Sequence, residues 1–484
     1  MSPGEPPVII DGRTMTCDDV VRVARGGAEV RLDATGRTRA NDAWEMAELV
    51  ATRRHVYGRT TGVGANRQEE VGGEAALGHG LRLLRSHAGG AGPLAPAEHA
   101  RATLVVRLNQ LAAGGSGVHP RILDALEQAL RTGAVPAVHR YGAIGTGDLT
   151  VLAEIGLTLA GERPWATGQV PPIPVDTGDA LAFMSSNAST LAESVLACAE
   201  LQRLLRAGHA VAALSFLALG GSPEAYTSGV HEVRAHPGQV RCAEEMRRLL
   251  GLDGVPAVGR RIQDPFGLRA FPQVQGPALD SLAHLERVLA IEINAQAENP
   301  LVSSLVGDVF HHAHFHTAYV AIALDQARMA IHHVSGMSTA RLADLVEPTM
   351  TDLTPFLAAG PPGSSGVMIL EYVAHDALAQ LRQAAVPVTL GTAVVSRGLE
   401  DHASFSTQAA RQATAVAEAL RYVLACELVA AVRALRMQGA ELPDIPAALV
   451  LERAARDLDP SLEDRSLTDD IERAAEALSD LADL

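Results

Sequence analysis

Six small or apolar residues, Gly142-Ala143-Ile144-Gly145-Thr146-Gly147, run into Asp148-Leu149-Thr150, an Asp-led helix start. Such a junction aims the positive end of a helix dipole at a bare loop. Other segments carry side chains suited to chemistry. Tyr57 stands in the glycine-rich stretch Tyr57-Gly58-Arg59-Thr60-Thr61-Gly62-Val63-Gly64. A lone loop tyrosine packs by default, and Gly62-Val63-Gly64 lacks the third glycine of a dinucleotide fingerprint. His87 lies in a second small-residue turn, Ser86 to Gly92, where a satisfied hydrogen-bonder is the bland reading. Gln263-Asp264-Pro265-Phe266-Gly267-Leu268-Arg269 ends in an arginine, which either grips a carboxylate through two parallel bonds or forms a salt bridge. Glu400-Asp401-His402 reads as a helix start, where acids are favoured by the dipole alone. His311-His312-Ala313-His314-Phe315-His316 offers alternating imidazoles. No C-x-x-C or H-E-x-x-H accompanies them, so they read as structural, with no metal site.

The elements that must position these residues are mainly helical. Of the 484 residues 47% are apolar but only 3% aromatic, so Ala, Leu and Val must fill the core, which suits closely packed helices. A strand-like run at Val8 to Ile10 and glycine-rich turns mark a mixed region from about residue 1 to 115. A helical bundle is expected from about 116 to 484, the whole forming one continuous unit. Leu279, Leu282, Leu285 and Leu289 share one helix face, and 181–219, 317–345 and 408–437 show comparable spacing. Pro361 to Gly366 is the clearest loop.

Charge and composition exclude several classes. A net charge of −16 argues against a general nucleic-acid binder. The longest uncharged apolar stretch, Ala207 to Pro223, is interrupted by His209, Ser215, Gly220 and Gly221, and reads as a buried helix rather than a membrane span. No signal peptide is evident, and four dispersed cysteines suit reduced thiols in a cytoplasmic protein. Every basic residue is arginine. Without a lysine amine, neither a pyridoxal phosphate Schiff base nor a P-loop is available.

Taken in order, these segments resemble the histidine and phenylalanine ammonia-lyase family. The resemblance runs from about Val56 to Gln408. It includes Arg107-Leu108-Asn109 with Gly115-Ser116-Gly117, Asn187, Glu298-Asn299-Pro300 and Phe315-His316 beside the segments above. It implies a mainly helical homotetramer whose active sites draw on more than one subunit. Its members remove ammonia from aromatic amino acids or shift the amine to the β-carbon, with no external cofactor. Family analogy makes Tyr57 the base that takes the β-proton, which asks for a lowered phenol pKa. Arg269 would hold the substrate carboxylate, Asn187 and Gln263 would line the site, and Glu400 would face the amine or a polar ring. His87 resembles the histidine-selective form of the side-chain pocket.

The pattern also departs. Family members cyclise Ala-Ser-Gly into a methylidene-imidazolone that takes up the substrate amine. Here Gly145-Thr146-Gly147 lies over that triad, with one residue lost upstream. Two readings stay open: the turn closes and bears an ethylidene group, a poorer electrophile, or it stays linear and Thr146 caps the next helix or fills space. Phe266 replaces a tyrosine, Gly267 a serine and His314 an asparagine of the pattern. The leading expectation is an ammonia-lyase acting on histidine or a related aromatic amino acid. The alternatives are an aminomutase, an elimination or addition on the same scaffold without the electrophile (Tyr57 acting alone or with a metal held by the histidine run), and a non-enzymatic amino-acid-binding homologue.

Overall fold

A computed structural model describes residues 6–252, 259–439 and 441–484. The chain folds into two compact units, each assembled from three segments. The first comprises Met1–Ala199, Leu285–Leu324 and Pro387–Arg411; the second comprises Glu200–His284, Asp325–Val386 and Gln412–Leu484. The expected change of character near residue 115 bounds neither of them.

Among the described residues all strands lie in the first unit. They form four two-stranded pairings, one of them the parallel pair Val8–Ile10 with Val30–Leu32. Strands continue past residue 115, to the hairpin Leu301–Ser303 with Asp308–Phe310. That hairpin packs on the helix Ala34–Ala51 through Ala43, Ala47, Val50, Val56, Val302 and Val309, all buried. Val56 thereby fixes the chain one residue before Tyr57. The valines among them contribute about 1.5–3 kcal/mol each on burial.

The helical periodicity is realised closely. Helices span Ala188–Leu219, Phe271–Glu292, Ala318–Val346 and Ser406–Gln438. Leu282, Leu285 and Leu289 are buried as their spacing requires. Ala207 to Leu219 belongs to the first of these helices, and none of the described helices is long and apolar enough to cross a membrane. One expected continuity is broken. The stretch from 181 divides into Asp179–Met184 and a helix starting at Ala188, leaving Ser185, Ser186 and Asn187 in a bend.

That bend is held by the fully buried Arg107. Its guanidinium donates to the carbonyls of Ala182 and Phe183, at 2.7 and 2.9 Å, and to Glu298 at 2.7 Å. In the second unit, Glu427 accepts from Arg341 Nε at 2.6 Å, Ser215 Oγ at 2.7 Å and Ser338 Oγ at 2.5 Å. Each buried charge keeps a partner. Removing one member of such a pair costs about 3–5 kcal/mol, because the other is left uncompensated in low dielectric.

Candidate active site

Seven of the ten residues expected in the site belong to the first unit: Tyr57, His87, Gly145, Thr146, Gly147, Asn187 and Glu400. Gln263, Phe266 and Arg269 belong to the second.

Tyr57 is half-buried, and its phenol oxygen accepts from the Gly64 N–H at 2.6 Å. Gly58 makes this hook possible. Its φ is +71°, and a β-carbon there would meet Leu181 Cβ at 2.8 Å. Ser396 closes the loop from the other side, its Oγ accepting from the Ala65 N–H at 3.2 Å. Glu400 lies just beyond, bridged to Val395. Burial raises the Tyr57 phenol pKa, the Gly64 N–H opposes that rise, and the Glu400 charge adds to it. This is the opposite direction from the lowered value a base asks for. Burial likewise raises the Glu400 carboxyl, while His87 pulls it back. His87 closes the helix His79–His87, with Nδ1 held 2.9 Å from the Leu83 carbonyl. Whenever the ring is neutral, that bond leaves its other nitrogen as an acceptor. Tyr57, Glu400 and His87 thus share one electrostatic neighbourhood.

The turn before the helix Leu149–Leu159 is held at three successive carbonyls and at the N–H groups of Gly147 and Asp148. The carbonyl of Ala143 accepts from Gln408 Nε2 at 2.9 Å, and that of Ile144 accepts from the Phe405 N–H at 2.9 Å. The Gly145 carbonyl accepts from Ser404 Oγ at 2.9 Å and Thr317 Oγ1 at 3.3 Å. The Gly147 N–H donates to Asn187 Oδ1 at 3.0 Å, and Asn187 Nδ2 donates to the Phe315 carbonyl. Gly145 sits at φ +83°, where a β-carbon would lie 2.7 Å from Ser406 Oγ. Only glycine fits.

Thr146 does not cap the following helix. Asp148 is the N-cap, and its carboxylate turns aside to accept from Thr190 N and Oγ1 at 2.7 and 2.8 Å. The Thr146 hydroxyl makes no hydrogen bond among the described residues. Burial raises the Asp148 carboxyl to about 6. The helix itself is buried on all sides from Val151 to Leu159.

In the second unit, Gln263 and Arg269 line one cavity of about 440 Å³ with Ser222, Glu224 and Gln273. Arg269 Nε donates to the Asp264 carbonyl at 2.8 Å, and its guanidinium carbon lies 4.4 Å from the Phe266 ring centre. Among the described residues no carboxylate pairs with it. Of the two roles open to this arginine, the salt bridge is not the one taken. The backbone beneath is pinned: Arg341 donates to the Gly267 carbonyl at 3.2 Å, and the Tyr226 hydroxyl to that of Leu268 at 2.7 Å.

One reading needs correction. Glu400-Asp401-His402 is not a helix start; the helix begins at Ser406, after Phe405 at φ +55°. The histidine run divides between two contacts. His312 and His314 stack on each other, with ring centres 4.0 Å apart, while His316 Nε2 meets His402 Nδ1 at 2.9 Å. Among the described residues no three His, Cys, Asp or Glu side chains gather as metal ligands. Sequence reading passed over Ser404, Ser406 and Thr317. Each lies within four residues of a recognised segment, and that adjacency was the available signal.

Residues 15–457 match the family model described as aromatic amino acid lyase. A histidine ammonia-lyase from Treponema denticola is 32% identical over 490 residues, spanning 98% of this chain and 97% of its own. The crystal structure of an ergothioneine-degrading enzyme, ergothionase, from the same organism superposes with a TM-score of 0.92 at 25% identity, covering 99% of this chain and 100% of that one. Tyrosine aminomutase from Streptomyces globisporus gives a TM-score of 0.91 at 29% identity, with coverages of 98% and 97%.

Proposed function

Because this chain belongs to the aromatic amino acid lyase family, we propose that it removes ammonia from histidine or a related aromatic amino acid, with Tyr57 as the base for the β-proton. The carbon–nitrogen lyase class follows from the family; the substrate and the residue roles are the proposal. The observation that carries it is the neighbourhood of Tyr57, Glu400 and His87, in which burial and the Glu400 charge raise the phenol's cost of ionising, burial raises that of Glu400, and the Gly64 N–H lies 2.6 Å from the phenol oxygen. A substrate ammonium entering there would offset the Glu400 charge, and the Gly64 N–H would hold the phenolate. Binding would itself supply the drop in pKa that burial denies the free chain. His87 and Glu400, one accepting and one anionic, suit the ring N–H of an imidazole better than a bare phenyl.

Arg269 would take the carboxylate, with Gln263 beside it, Phe266 stacked on the guanidinium and Asn187 lining the site from the turn. A homotetramer with sites shared between subunits, which the family resemblance implies, is part of the proposal. The Gly145-Thr146-Gly147 turn suits a self-derived imidazolone: Gly145 brings no side chain into its crowded surroundings, its carbonyl is polarised, and the Thr146 hydroxyl is uncommitted. Such a ring, once formed, supplies an electrophile for the substrate amine and so improves ammonia as a leaving group.

The test is to incubate the purified protein with free aromatic amino acids and follow ammonia and the unsaturated acid. Their release with histidine supports the reading; no turnover of any aromatic amino acid rejects it. Likeness to tyrosine aminomutase favours one second reading, in which the product is a β-amino acid. Mass-resolved product analysis separates the two.

A further inference from the structure

We infer that Ser404, Thr317 and Ser406 form a hydroxyl cradle that drives closure of the Gly145-Thr146-Gly147 backbone. This rests on the cyclisation reading above and names the groups that perform it. All three side chains are buried, and all come from segments far from the turn in sequence. Ser404 Oγ donates to the Gly145 carbonyl at 2.9 Å, and Thr317 approaches the same oxygen through Oγ1 at 3.3 Å and through its N–H at 3.5 Å. Ser406 Oγ lies 2.7 Å from Thr317 Oγ1. With Ser406 donating, Thr317 is left to donate to Gly145, and the two hydroxyls polarise each other in series. Phe405, between the serines, takes φ +55°, a left-handed conformation that is strained for a bulky residue. Its N–H is anchored on the Ile144 carbonyl at 2.9 Å. That bend brings Ser404 Oγ and Ser406 Oγ to the same glycine.

The chemistry that needs this arrangement is attack of the Gly147 nitrogen on the Gly145 carbonyl carbon. As the N–C bond forms, the carbonyl π-bond breaks and negative charge grows on the oxygen that Ser404 and Thr317 already face. Asn187 Oδ1 holds the Gly147 N–H that must give up its proton. That proton and the one on the Thr146 nitrogen leave with the Gly145 oxygen as the first water. The Thr146 α-proton and hydroxyl leave as the second, creating the exocyclic double bond. No oxidant or co-reactant is required. Fixed donors at a developing oxyanion are typically worth on the order of 10²–10³-fold in rate.

The experiment follows intact mass and the near-ultraviolet absorbance of the ring over time in freshly synthesised full-length chain. Wild type should become two waters lighter. Ser404→Ala and Thr317→Val should do so about 10²-fold more slowly, with unchanged circular dichroism, while Thr317→Ser, which keeps the hydroxyl, should track wild type. The two slow variants alter different segments, so loss of fold in one leaves the other decisive. Wild-type rates in both, or equal slowing in Thr317→Val and Thr317→Ser, overturn the cradle and leave cyclisation standing. A wild-type chain of unaltered mass overturns cyclisation and cradle together.

Discussion

The turn Gly142 to Asp148 and the segment Gln263 to Arg269 are both short, backbone-pinned connections ahead of a helix, yet they differ in what they leave free. In the turn, the carbonyls of residues 143 to 145 and the N–H groups of Gly147 and Asp148 all have fixed partners, the last on the Ser186 carbonyl at 2.7 Å. What it presents is backbone, together with one uncommitted hydroxyl. In the Gln263 segment the carbonyls of Asp264 to Leu268 also have partners, those of Gly267 and Leu268 on Arg341 and Tyr226. What it presents is side chains: an exposed Gln263, an exposed Phe266 and a guanidinium without an acidic partner among the described residues. An over-determined turn suits a reaction of the chain upon itself, and a pinned backbone with free side chains suits a ligand that must come and go.

The sharpest way to separate chemistry from both regions is Tyr57→Phe. Loss of a general base should lower kcat by about 10²–10⁴-fold with the melting temperature unmoved, as steady-state ammonia release and thermal unfolding would report. Retained turnover would remove Tyr57 from the role. Next, Glu427→Ala should leave Arg341 buried and uncompensated, lowering stability by about 3–5 kcal/mol; a urea midpoint equal to wild type would show that the segment's pinning is dispensable. Arg269→Ala should behave in the reverse manner, with stability intact and KM raised about 10–100-fold through loss of a charged hydrogen bond. An unchanged KM would mean that the carboxylate is held elsewhere.

The smallest effect concerns pH. Burial raises Asp148 from 3.8 to about 6, so the folded chain holds this proton more tightly than the unfolded chain does. Its contribution to stability is therefore complete below 3.8 and is lost as pH climbs through about 6. In Asp148→Asn that loss is absent, so the variant's melting temperature should gain on wild type between those two values. Parallel curves in differential scanning fluorimetry would contradict the assignment.

Helix periods were readable because burial of an apolar stripe is a local property of spacing, and the long helices start and stop within a few residues of the expected bounds. The break at Ser185 to Asn187 was not readable. It depends on Arg107 capturing the carbonyls of Ala182 and Phe183, and nothing local in the apolar run announces it. Thr146 misled for a related reason. A threonine before a helix is a cap by local preference, but Asp148 takes that position and is then drawn toward Thr190.

The linear order of residues by itself determined the helical character, the glycine at 145 and the supply of a tyrosine, an arginine and a glutamate for amino-acid chemistry. Which oxygen faces which hydroxyl was decided only by tertiary structure. Thr317 and Ser404 lie 172 and 259 residues from Gly145. A hydrogen bond acts over about 3 Å, so long-range packing alone could bring them there.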